Sequence, residues 1–579
     1  MSKKLWKIRE IDDPYTVEAL ADSLNVSEVI SRILFLRNIH NFNQAKFFFR
    51  SSLESLFDPF LMDGMDAASY RIIHALTENQ PILIYGDYDV DGTCSTAILY
   101  LFLKELGANV DFYIPKRLTE GYGLSKPGID FAKSKNISLI ISVDCGITAV
   151  EETRYANSLN IDVIICDHHQ PKETLPEAFA VLDPIKPNCN YPYKFLSGAG
   201  VAFKLAQGIS DRIGKRELPL QYLDLVALAC AADIVPLTGE NRILVKEGLH
   251  RINTNPRPGI MALIKNASIE PGNLNTGQIV FTIAPRINAV GRLGDAQRAV
   301  ELLITDDNAR AMDLAEVLES ENYQRRKIDE DTFGDALNLI ENSFNMEEDI
   351  AIILHQEKWH PGVIGIVASR LVEKYYRPAI MLTTVDGIAK GSARSISSFN
   401  IYEALKKCED LLIHFGGHQA AAGLAVEIGK IDEFKSKFNR IVRETVKEDD
   451  LLQEIVIDSK IKFSEITAKF LRIMDQLAPF GPGNMRPIFL AEDVEVSNPP
   501  RIVGSNHLIV SLKQNGSEKV FDCIGFNMGN LCDPLLKKNS LLDVVFSIDK
   551  TSKDGRVFPQ FKFKDIKIKE PAAAVQEIS

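Results

Sequence analysis

PILIYGDYDVDGT (81–93) begins as an apolar run of strand length and ends in acid, with Asp87, Asp89 and Asp91 at alternate positions just beyond it and Gly92 and Thr93 opening the next stretch. Four further runs follow: NVDFYIP (109–115), SLIISVD (138–144), DVIICDHH (162–169) and AFAVLDP (178–184), separated mostly by helix-length stretches. This alternation is the pattern of a parallel sheet built from βαβ units. Most of the runs end in an acidic residue or run into one. In open α/β sheets ligands bind beyond the carboxyl ends of the strands, so acids gathered there are placed for chemistry.

If the chain stays extended past the first run, the three carboxylates point the same way, a costly clustering unless cations neutralise it. An acidic turn explains the same residues equally well. Asp144 and the Asp-His-His of 167–169, at the ends of two other strands, tip the balance toward a site. Asp233, at the end of the apolar helical stretch YLDLVALACAADIV (222–235), is placed to close it. Oxygen-rich ligation with an imidazole suits Mn²⁺ or Mg²⁺, whereas a structural zinc site would draw thiolates. Two such ions, about 3.5–4 Å apart, form the clamp used in phosphoester hydrolysis, and Asp144 on the central strand is the candidate bridge.

Working outward, the 579 residues leave room for several units. We expect an N-terminal segment (1–60), a catalytic α/β domain (61–308), a connecting helix (309–344), a smaller α/β unit (345–448), a strand-rich domain (449–570) and a loose tail (571–579). The 45% hydrophobic and 25% charged composition is that of a folded globular protein. No segment approaches the ~20 apolar residues of a membrane span, and the eight cysteines form no CxxC pair, so a reducing cytoplasmic setting is expected. The net charge of −12 argues against a surface that binds nucleic acid throughout, while leaving room for a local basic path.

DYDVDG, Asp144, DHH and Asp233 resemble the successive motifs of the DHH phosphoesterases. The resemblance implies Asp89, Asp91, Asp144, His168 and Asp233 as metal ligands, His169 near the substrate phosphate, Asp144 and His169 as the catalytic pair, and Asp87 behind the ligands. IPKRLTEGYGL (114–124), SGAGVAF (197–203), APRINAVGRLGDA (284–296), WHPGVIGIVASRL (359–371), GSARS (391–395) and FGGHQAAAGL (415–424) resemble the RecJ family within that group. That likeness implies a parallel-sheet DHH domain, a long helix, a smaller α/β DHH-associated domain facing the metal site, and a C-terminal OB-type β barrel. The implied activity is 5′-to-3′ hydrolysis of single-stranded DNA with two Mn²⁺ or Mg²⁺ ions, in repair and recombination. Single-stranded DNA, a helicase and a single-strand-binding protein are the implied partners, with a monomeric chain and no membrane.

The segments also have readings of their own. Lys116 and Arg117 follow the second strand, where a guanidinium could hold phosphate or pair with Glu120. Arg286, Asn288 and Arg292 fall in what reads as a Pro- and Gly-bearing loop, suited to phosphate contact or to structural hydrogen bonds. Ser392, Arg394 and Ser395 read as a Gly-rich turn and His418 as preceding a small-residue helix, all of them phosphate-binding side chains. In the strand-rich end, Phe521, Phe526, Phe546, Phe558, Phe561 and Phe563 are mostly core, with one or two left for base stacking. Two rivals stay open: a phosphodiesterase for cyclic dinucleotides or short RNA, and a non-enzymatic DNA-binding protein on a DHH scaffold.

Overall fold

The computed structural model describes residues 4–117, 119–344, 349–536, 541–553 and 556–569, so the tail 571–579 lies outside the described residues. Its contacts divide the chain into two compact units, one of residues 57–233 and 247–453, the other of residues 1–56, 234–246 and 454–579.

The first unit holds two sheets. One is five-stranded and wholly parallel, in the order Val110–Tyr113, Ile82–Gly86, Leu139–Val143, Asp162–Cys166, Ala180–Leu182. Ile82–Gly86 and Leu139–Val143 are buried along their whole length, as expected of strands covered on both faces. The helix Val90–Glu105 is apolar nearly all round because it packs beneath two others, Gly198–Arg212 and Leu223–Ala232. Register places Gly86 opposite Val143 and Val143 opposite Cys166, and Cys166 pairs with Leu182. Asp87, Asp144, Asp167 and Asp183 therefore stand in one row, each a residue past its strand. Hydrogen bonds from Asp144 N–H to Cys166 O and from Asp167 N–H to Leu182 O, both 2.9 Å, carry the ladder into that row.

A 36-residue helix, Asn308–Ser343, joins this sheet's helices to the second sheet. Its first part packs on Pro258–Asn266 and Ala284–Leu293, and Ala336 and Ile340 enter a core with Ile352, Val367 and Met381. The second sheet runs Leu412–Gly417, Ala421–Glu427, Ile388–Arg394, Ala379–Val385, Ile352–His355, with only the last pair parallel.

Three local expectations are corrected. GSAR (391–394) is strand, not turn, and AAGL (421–424) is strand, not helix: Arg394 lies opposite Ala421 and Ser392 opposite Gly423. Cross-strand pairing overrides the helical preference of alanine there. Arg286, Asn288 and Arg292 lie on the helix Ala284–Leu293, not in a loop. Pro285 lies just after a π-helical turn, Ile279–Ile283, and Ile287, Ala289 and Val290 are buried.

In the second unit, five strands close a barrel in the order Ile488–Val503, His507–Gln514, Val520–Gly525, Arg556–Ile568, Leu542–Lys553 and back to Ile488–Val503. This is the OB-type barrel expected. Phe463, Phe489, Phe521, Phe546 and Phe561 stack and edge against one another inside it. Leu20, Ile30, Ile33 and Leu34, from the helices Pro14–Leu24 and Glu28–Phe35, enter the same core. The strand Leu5–Ile8 pairs with Glu454–Ile457.

Candidate metal centre

The row of strand-end acids meets two helix termini. Asp89 keeps an extended backbone but serves as the cap of the helix Val90–Glu105, its Oδ1 accepting from Gly92 N–H at 3.0 Å, and Asp91 rides in the first turn. The alternating, same-side arrangement expected of Asp87, Asp89 and Asp91 is thus replaced by a strand end, a cap and a helical turn. The two oxygens of Asp91 accept from Gly198 and Ala199 N–H, 2.7 Å each, which buries the carboxylate completely. From the opposite side Asp233, the C-cap of Leu223–Ala232, brings its carboxylate to 3.7 Å from His168 Nε2. The same nitrogen lies 3.1 Å from Asp144 Oδ1 and 3.7 Å from Asp91 Oδ2.

Three overlapping sets have ligand atoms all within 4.8 Å of one another: Asp144, His168 and His169; Asp91, His168 and Asp233; Asp87, Asp89 and Asp144. Asp87 is buried, and among the described residues its Oδ1 finds no hydrogen-bond partner. Asp144 holds a left-handed backbone conformation, φ 59°. A Cβ on Gly198 would come within 2.7 Å of its side chain, so the approach of that helix requires glycine.

So many acids cannot ionise together without a counter-charge. Burial, then the charge of Asp89, pushes Asp91 up to about 7; burial, then Asp91 and Asp89, pushes Asp233 up to about 8. Asp87 and Asp144 are raised well above the carboxylate range, first by burial and then by neighbouring acids. His168 is lowered to about 4 by burial and by His169, leaving a neutral imidazole suited to ligation. His169 goes the other way: against its burial, Asp167 Oδ1 at 2.7 Å from Nδ1 pushes it up to about 9. Oxygen-rich donors, an unpartnered buried carboxylate oxygen and a neutral imidazole fit a pair of hard divalent cations.

Above this cluster three arginines converge. Arg117 lies over the Tyr88 ring at 5.0 Å, Arg292 donates to Gly362 O at 3.0 Å, and Arg394 donates to Ser392 Oγ at 3.0 Å. Burial lowers Arg292 to about 10, with Arg117, Arg325 and Arg394 adding to the shift; Arg394 is lowered by burial and by Arg117. Among the described residues none of Arg117, Arg292 and Arg394 forms an ion pair. Gly365, near the start of the helix Ile364–Tyr375, comes close enough to Ser392 and Arg394 that a Cβ would lie 2.9 and 3.0 Å from them.

Other candidates separate. Arg286 Nε lies 2.5 Å from Glu319 on the long helix, which gives it a structural partner. Asn288 Oδ1 accepts from Val90 N–H at 3.2 Å and so steadies the start of the helix carrying Asp91. His418 is exposed in a hairpin turn, its backbone N–H donating to Ala421 O. Glu120, the alternative partner for Lys116 or Arg117, accepts from Lys116 N–H and Tyr113 Oη. The residue missed by sequence reasoning is Tyr122, whose Oη donates to Asp144 O at 2.9 Å and lies 3.3 Å from the His169 ring. Its signal is the pair of flanking glycines, Gly121 and Gly123, both left-handed.

A family model described as the DHH family N-terminal domain matches residues 81–230, the DHHA1 domain matches 348–444, and the RecJ OB domain matches 457–565. With the parallel sheet and its acidic rim, they define the class as a DHH phosphoesterase. The single-stranded-DNA-specific exonuclease RecJ of Bacillus subtilis is 38% identical over 571 residues, 98% of this chain and 71% of that one. The Escherichia coli RecJ is 35% identical over 486 residues, 81% and 84% of the two chains. The crystal structure of RecJ in complex with Mn²⁺ from Thermus thermophilus superposes with a TM-score of 0.82 at 30% identity, covering 98% of this chain and 80% of that one. The chain belongs to the RecJ family.

Proposed function

We propose that this chain hydrolyses phosphodiester bonds in single-stranded DNA from the 5′ end, in repair and recombination, with Asp89, Asp91, Asp144, His168 and Asp233 holding two Mn²⁺ or Mg²⁺ ions. One observation carries the reading. Asp144 belongs to two of the three candidate ligand sets and touches the imidazole common to the third, the position a bridging carboxylate needs. When bound, the ions would activate a nucleophile and offset the charge that develops on the phosphoryl group.

The chain's own side chains do the rest. His169, braced by Asp167 Oδ1 at 2.7 Å from Nδ1, would present its other ring nitrogen to the phosphate. Tyr122 holds the other side of that ring, and Asp87 stands behind the ligands as an acceptor. Arg117, Arg292, Arg394 and Ser392 form a cationic recess for a terminal phosphate dianion, whose charge would relieve their mutual repulsion. His418 would meet the strand as it leaves that recess.

The same reading extends to a helicase and a single-strand-binding protein as partners, to a monomeric state and to the cytoplasm. Among the described residues no cysteine is joined in a disulfide, which agrees with a reducing compartment. No helix among the described residues is long and apolar enough to cross a membrane. The test is incubation of the purified chain and Mn²⁺ with single strands labelled at either end. Mononucleotides released from the 5′ end are expected; release from the 3′ end, or no metal-dependent release, would refute the proposal.

A further inference from the structure

Between the helical turn Thr276–Gln278 and the helix Ala284–Leu293 the chain makes one turn of π-helix, Ile279–Ile283. A π turn holds more residues than an α turn, so it rephases the side chains around it, and such turns are found frequently at functional sites. Here Ile279 and Ile283 are fully buried while Phe281 between them is 83% exposed, matched among the described large apolar residues only by Tyr15 at 84%. Apolar surface of that size left in water has no stabilising role in the isolated fold. A patch for another protein would need neighbours of the same character. Yet Gly277 is exposed and Val280 and Thr282 are only half-buried, so the ring stands alone.

The same helix leads to the site. About two turns further on, Asn288 meets Val90, and one turn beyond that Arg292 joins the arginine recess. Within the α-helix, at about 100° per residue, Asn288 and Arg292 share one face and Arg286, paired with Glu319, faces away from Asn288; allowing for the smaller turn per residue inside the π segment, Phe281 falls within about a quarter-turn of the Asn288–Arg292 face. We infer that Phe281 is a stacking platform for an unpaired base of the strand whose 5′ phosphate lies at Arg292, a few nucleotides in from the end. The inference rests on the proposed function for its ligand. An aromatic face accepts any base, so the contact would select unpaired strands without reading sequence.

The test uses the full chain with 5′-phosphorylated 20-mers carrying the fluorescent base 2-aminopurine at successive positions, read in EDTA so that no hydrolysis is needed. The wild type is expected to quench one internal position selectively. Phe281→Ala should abolish that quenching and Phe281→Trp preserve it. In Mn²⁺, Phe281→Ala should raise KM for the 20-mer by about fivefold or more, the weaker end of base–aromatic stacking, with kcat within about twofold. Unchanged fluorescence at every position in Phe281→Ala, an equal loss at all positions, or a fall in kcat alone would overturn the inference. A strand that is bound and quenched but never cut would instead sink the proposed function.

Discussion

His168 Nε2 and Asp144 Oδ1 lie 3.1 Å apart, one from the loop after a parallel strand, the other from the left-handed residue that ends the neighbouring strand. Neither helix packing nor the sheet needs this contact. It brings the imidazole and the carboxylate to the place where the other acids converge.

Replacing Asp144 by Ala removes the carboxylate common to two ligand sets. Hydrolysis is expected to fall by about 10²–10³-fold or more, the scale of losing one preorganised charge-stabilising group. Binding of single strands in EDTA should change much less, because the arginine recess is intact. Gel-shift and single-turnover assays on the same preparation check both, and a variant that retained most of its turnover would remove Asp144 from the centre.

Acidity should set how much metal stabilises the fold. Asp91 and Asp233 have folded-state values of about 7 and 8, above an unfolded value near 4, so their contribution in the metal-free protein is fully present below that unfolded value. It is lost as pH rises through 7 and 8. Metal requires the deprotonated acids, so the rise in Tm on adding Mn²⁺ should be larger at pH 8.5 than at pH 6. Thermal melts in EDTA and in Mn²⁺ decide this, and an equal rise at both values would contradict it.

Two arginines drawn from separate sequence motifs should behave differently. Arg117→Ala is expected to narrow the rate difference between 5′-phosphorylated and 5′-hydroxyl strands, since among the described residues it has no acidic partner. Arg286→Ala should keep that difference and instead lose about 1–3 kcal/mol of stability, because Glu319 Oε2 loses its guanidinium and only Oε1 keeps one, from Arg326. Equal effects of the two on phosphate preference would return Arg286 to the substrate side.

Deleting residues 450–579 should not leave a sound short enzyme. Leu20, Ile30, Ile33 and Leu34 share the barrel's core, so the truncation would strip the N-terminal helices and expose apolar surface. Low solubility and a lowered melting point are expected. Phe526→Ala and Phe558→Ala, 51% and 46% exposed, are the cleaner probes and should shorten processive runs on long strands in an enzyme-trap assay. Unaltered run lengths in the double variant would give the barrel another role.

The strands of the first sheet were legible because each is a short, nearly continuous apolar run, and parallel register then carries their terminal acids into one row. The meeting of Asp144 and His168 was legible for the same reason, whereas Asp233 reaches them from the end of the apolar helix Leu223–Ala232. What escaped was local and depended on partners far away in sequence. Gly391 to Arg394 and Ala421 to Leu424 are each ambiguous alone and become strands by pairing with one another and with the strands on either side. Asp89 and Asp91 look alternate in one dimension, yet the helix begins between them. Tyr122 has no periodic neighbour to announce it, only the glycines that turn the chain on either side.

The helix Asn308–Ser343 acts as a ruler between the sheet that carries the acids and the sheet that carries Ser392 and Arg394. Each residue added to it would advance the second sheet by about 1.5 Å and swing it by about 100°. A single insertion would therefore do more harm to the alignment of grip and cut than many substitutions along its surface. Natural variants of this chain should accept changes of letter there far more readily than changes of length.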